Sequence, residues 1–95
     1  MTIDELREKR PLILSIAKQH GARKVRVFGS SAKGKSRRES DVDFLIELES
    51  GRTLLDIIAI KQDLEDLLQR KVDVVTEGAV SPYLRDEIVT QAISL

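Results

Sequence analysis

Three short runs with a two-residue apolar period, set among stretches of helical period, do most to constrain this chain. Lys24 to Phe28 (KVRVF) alternates and is rich in β-branched residues, so it reads as a strand. DVDFLIEL, from Asp41 to Leu48, is a second, with Val42, Phe44, Ile46 and Leu48 on one face. KVDVVTE, from Lys71 to Glu77, is a third. Ahead of them, Thr2 and Glu5 have capping-box spacing for a first helical segment. Pro11 either starts a second segment or kinks one longer helix. Leu12, Ile13, Ile16 and Ala17 supply an apolar stripe, and Gly21 after His20 is a C-terminal stop. His20 is read as a helix-end residue without a catalytic part. Thr53 and Asp56 suggest the cap of a long helix reaching about Gln69, with Leu54, Ile57, Ile60, Leu64, Leu67 and Leu68 at helical spacing. Ser81-Pro82 caps a last helix carrying Leu84, Ile88, Ala92 and Ile93. The order α-β-β-α-β-α predicts an α/β fold: a small mixed sheet of three strands, with room for an extra short one, flanked by helices.

Size and composition exclude several classes of chemistry. Ninety-five residues leave room for one core, so a single domain over 1–95 is expected. No apolar run approaches the roughly 20 residues of a membrane helix. The N-terminal MTIDELREKR mixes both charges and lacks the apolar core of an export signal, so a cytoplasmic location is expected. Cys is absent, which removes disulfide scaffolds, thiolate zinc sites and cysteine nucleophiles. A single His makes a histidine metal site or a Ser-His-Asp triad hard to build. Carboxylates, hydroxyls and basic side chains remain. The net charge of zero hides an asymmetry: residues 1–38 hold 11 Lys and Arg against 3 Asp and Glu, and residues 39–95 hold 5 against 13. Solvated surfaces that pair with each other are the default reading. The sharper one is a basic half that attracts a polyphosphate and an acidic half that holds a cation.

The segment between the first two strands admits two readings. Gly29 to Ser36 (GSSAKGKS) matches the phosphate-loop pattern G-x-x-x-x-G-K-[ST], but that pattern requires a helix opening at Lys35-Ser36. Only Arg37 to Ser40 separate Ser36 from Asp41, about one helical turn, whereas a parallel crossover takes roughly a dozen residues. The match is judged coincidental. The other reading joins Gly29-Ser30 to Asp41-Val42-Asp43. Acids two apart on a strand project from one face and repel unless a cation lies between them. Oxygen-only ligation suits a hard ion such as Mg²⁺. Asp73, inside the apolar Val72 to Val75, is either an outward-facing acid on a half-exposed strand or a third ligand, and spacing leaves the two even. If its strand lies beside DVDFLIEL, three carboxylates converge, enough for two Mg²⁺ ions about 3.5–4 Å apart, with Asp73 a candidate general base. Gly29 lets backbone approach a phosphate closely, and Lys33, Lys35, Arg37 and Arg38 raise the local positive potential. Tyr83 is either a base-stacking surface or, as the safer reading, a helix-packing residue.

The combined pattern F-G-S-S-A-K-G-(x)5-S-D-V-D-F-L-I resembles the signature of the minimal nucleotidyltransferases, a branch of the DNA polymerase β-type superfamily. RKVDVVTE is similar to that family's third-carboxylate strand, and EGAVSPYLRDEI to its ending. The resemblance implies Mg²⁺-dependent transfer of AMP from ATP to a hydroxyl. It implies that Gly29, Ser30 and Lys33 hold the nucleotide and that Asp41, Asp43 and Asp73 bind metal and form the catalytic site. Lys33 stands where the family often has Arg, which keeps the charge but loses a bidentate fork. The family also implies a HEPN-domain toxin as partner, neutralised by adenylylation of a tyrosine. The alternative is a binding module that neutralises its partner by docking without catalysis. No membrane association or direct nucleic-acid binding is expected, and homo-oligomerisation stays open.

Overall fold

The computed structural model describes residues 2–29, 42–79 and 81–95. Helix α1 (Ile3–Glu8) opens with Thr2, whose side chain accepts from the Glu5 amide at 3.2 Å. Helix α2 (Arg10–Gln19) carries Pro11 in its first turn, where a missing N–H costs nothing, so Pro11 starts a second segment. His20 is its C-cap, and Gly21 at φ +84° turns the chain into strand β1 (Ala22–Phe28). Strand β2 (Val42–Leu48) follows, then helix α3 (Leu54–Leu68), strand β3 (Val72–Thr76) and a 3₁₀ turn over Glu77–Ala79. Helix α4 (Pro82–Gln91) and strand β4 (Ile93–Ser94) end the chain.

The sheet order is β3-β2-β1-β4, so four strands form it, the last of only two residues. β1 runs antiparallel to β2, from Ala22 opposite Leu48 to Phe28 opposite Asp43. β2 and β3 are parallel, with Val42 opposite Val72 and Asp43 opposite Asp73. Helix α3 is the crossover between them. Its capping box is complete: Thr53 accepts from the Leu55 amide at 3.2 Å, and Asp56 accepts from the Thr53 amide at 2.9 Å.

One face of the sheet carries the core. Val27, Val42, Phe44, Ile46 and Val72 are buried there against Leu6 of α1, Ile13 and Ala17 of α2, and Ile60, Leu64 and Leu68 of α3. Each of the Val, Leu, Ile and Phe side chains among them contributes about 1.5–3 kcal/mol by leaving water. His20 links α2 to α3 through Asp63 at 2.9 Å. The connection from β3 to β4 must cross β2 and β1. The right-handed rule for parallel crossovers takes α4 over the opposite face, in keeping with its contact with β1 and its absence from the core.

Three expectations are corrected. Leu54 begins the apolar stripe of α3 by spacing, yet it is exposed, and the buried residues of α3 begin only at Ile60. The last helix stops at Gln91: Ala92 is extended and Ile93 pairs with Val27, where a strand partner outweighs helical spacing. Tyr83 packs against nothing; it is 96% exposed in the first turn of α4, and that helix buries none of its residues.

Candidate active site

Alternation along β2 and β3 decides where the acids point. Val42, Phe44 and Val72 face the core, so their neighbours Asp43 and Asp73 face the other way. The two acids stand opposite each other on adjacent parallel strands, and neighbouring strands lie about 4.8 Å apart. Asp43 is half-buried and Asp73 exposed. Asp73 therefore lies on the same side of the sheet as Asp43 and next to it. Asp41, the third predicted carboxylate, lies outside the described residues, as do Ser30, Lys33, Lys35, Arg37 and Arg38.

Gly29 completes the described part of the site. It follows β1 directly, where Phe28 stands opposite Asp43, and it adopts φ +74°. A Cβ placed on Gly29 would collide with Oδ2 of Asp43. Glycine is thus required here twice, for its left-handed backbone and for the close approach of a carboxylate. Sequence reasoning assigned that closeness to a phosphate; the structure gives it first to Asp43.

Phe28, Lys24 and Arg26 also join this face, Lys24 and Arg26 without belonging to any motif of the sequence. Their register partners Asp43, Glu47 and Leu45 put all three on the face of the acids. The signal was available, since continuing the period of KVRVF places them opposite Val25 and Val27.

Two oxygen-only side chains brought together at a strand entry, beside a glycine turn, suit a hard divalent cation and a phosphate. Asp43 and Asp73, in register on adjacent strands, fit such an ion in donor type.

Comparison with known proteins places the chain in a family. Residues 6–95 match the family model described as nucleotidyltransferase domain. A Methanocaldococcus jannaschii protein, provisionally described as a protein adenylyltransferase, is 36% identical over 95 residues, covering 100% of this chain and 99% of its own. Protein adenylyltransferase MntA of Thermococcus cleftensis is 30% identical over 78 residues, covering 82% and 79%. Among solved structures, one provisionally described as a minimal nucleotidyltransferase superposes with a TM-score of 0.88 at 46% identity, covering 100% of this chain and 97% of the other. A toxin–antitoxin crystal structure with AMP-PNP shares the fold at a TM-score of 0.74 and 24% identity, covering 86% and 68%. The chain belongs to the nucleotidyltransferase-domain family, in its minimal branch, and is a nucleotidyltransferase.

Proposed function

We propose that this nucleotidyltransferase moves AMP from ATP to a hydroxyl of a partner protein, a tyrosine of a HEPN-domain toxin, and so acts as an antitoxin. The observation that carries the reading is the in-register pair Asp43 and Asp73 on adjacent parallel strands, with Gly29 against Asp43. Relatives named protein adenylyltransferase support the reaction type, and the fold neighbour with AMP-PNP supports the nucleotide. The toxin–antitoxin structures of the same fold support the partner.

In this reading Gly29 and Ser30 present backbone amides to the triphosphate, and Lys33 adds positive charge beside it. Asp41, Asp43 and Asp73 would hold Mg²⁺, two ions if all three converge. When bound, Mg²⁺ offsets charge developing on the transferred phosphoryl group and favours ionisation of the acceptor hydroxyl. Asp73, the exposed acid of the pair, would take the acceptor's proton in this reading. The acceptor oxygen bonds to the α-phosphorus, the bond from that phosphorus to the bridging oxygen breaks, and pyrophosphate leaves. Proximity supplies much of the rest, because in-line attack needs both reactants held in one geometry.

The test is transfer of label from α-labelled ATP to the partner toxin in the presence of Mg²⁺. Label should appear on the toxin and fall by on the order of 10²–10³ in Asp43→Asn plus Asp73→Asn. Unlabelled toxin, or transfer that survives both substitutions, defeats the proposal. Docking without catalysis is the second reading, favoured by α4, which leaves Tyr83, Leu84 and Val89 exposed. Full neutralisation of the toxin by the double Asn variant would establish it.

A further inference from the structure

A cleft of about 540 Å³ opens where β1 runs on past β4. Among the described residues its lining includes Arg10 at the start of α2 and Arg23, Lys24 and Arg26 of β1, and no Asp or Glu side chain. Leu14 and Val89 contribute apolar wall. Arg10 donates to the Leu95 main-chain oxygen at 2.5 Å. Arg23 and Lys24 both turn to Glu47, at 3.1 and 3.8 Å, so two cations share one carboxylate. The cleft thus concentrates positive charge on a partly apolar surface. Lys24 and Arg26 project from the sheet face that bears Asp43 and Asp73, whereas Arg10, Leu14 and Val25 lie toward the core face, so the cleft straddles the β1 edge and reaches the acids' face on one side.

We propose that this cleft receives an acidic, partly apolar segment of the protein that accepts the nucleotide. The inference rests on the adenylyltransferase reading for the identity of the occupant. Guanidinium forks pair with carboxylates in bidentate geometry, and Leu14 and Val89 give apolar side chains of the same segment a place to rest. A nucleic acid fits less well. The chain has 2 Phe and 1 Tyr, and none lines the cleft to stack on bases.

The probe is a fluorescein-labelled peptide of six Glu-Val repeats, titrated with the intact protein without ATP and read by anisotropy. Saturable binding is expected, weakened by about tenfold or more in Arg23→Ser plus Lys24→Ser and again in Arg10→Ser. Glu47→Gln frees Arg23 and Lys24 from their shared carboxylate and should tighten binding roughly two- to fivefold, a gain that misfolding cannot mimic. No saturable binding, binding indifferent to all three variants, or tighter binding of a labelled oligouridylate than of the peptide overturns the proposal. Because the titration needs no nucleotide, failed peptide binding with label transfer intact defeats the cleft alone. Peptide binding with no label transfer defeats the catalytic reading and leaves the cleft as a docking site.

Discussion

Gly29 holds two constraints in one residue: φ +74° and a carboxylate oxygen of Asp43 where a Cβ would go. Gly29→Ala should therefore cost roughly 1–2 kcal/mol in stability through the left-handed backbone. It should cost proportionately more in nucleotide transfer, since the methyl group displaces a candidate catalytic acid; urea unfolding and label transfer on one preparation compare the two. Asp73→Asn is expected to separate the quantities in the other direction. Removing one of two neighbouring carboxylates relieves repulsion of up to about 1 kcal/mol at this exposed site, while transfer falls on the order of 10²–10³. A variant that is no less stable and yet inactive marks a residue placed for chemistry rather than for folding. The two-residue spacing of Asp41 and Asp43 and the odd acid inside an apolar strand were legible in the sequence. That Asp73 stands level with Asp43 was not, because register between strands separated by a helix depends on how that helix packs.

At the scale of the element, local rules worked where side chains talk to their own backbone. The Thr53 capping box, the Ser81 cap and Pro11 in a first turn were all readable, since each is decided within four residues. Thr53→Ala should lower the stability of α3 by about 1 kcal/mol, seen as a shifted urea midpoint with an unchanged m-value. Local rules failed where a distant partner outbid them. Ile88, Ala92 and Ile93 keep helical spacing, yet Ile93 leaves the helix to pair with Val27. Leu54 keeps the stripe of α3 but stays exposed in its first turn. Helix α4 is the extreme case, a helix with no buried residue. Leu84, 52% exposed, should accordingly tolerate Leu84→Ser within about 0.5 kcal/mol. Loss of toxin neutralisation in that variant, with its melting curve unmoved, would assign the helix to partner contact.

For the whole molecule, the sheet brings the chain's two electrostatic halves onto one face. Lys24 and Arg26 come from the basic half, Asp43 and Asp73 from the acidic half, and β1 lies directly against β2. The composition showed the imbalance, and only the strand order shows that the two signs become neighbours. An ion that binds the folded acids and not the unfolded chain must raise stability by RT ln(1 + [L]/Kd). With Mg²⁺ at ten times its dissociation constant that is about 1.4 kcal/mol, or roughly 6–11 °C in melting temperature for a chain this size. The unfolded chain carries the same carboxylates scattered, so the gain depends on the fold having assembled them. The expected result is a rise in melting temperature with added Mg²⁺ that chelation by EDTA reverses and that Asp73→Asn largely removes. A rise of equal size in the variant would mean that the ion acts by screening elsewhere on the surface, and the register of Asp43 with Asp73 would then be geometry without a metal to hold.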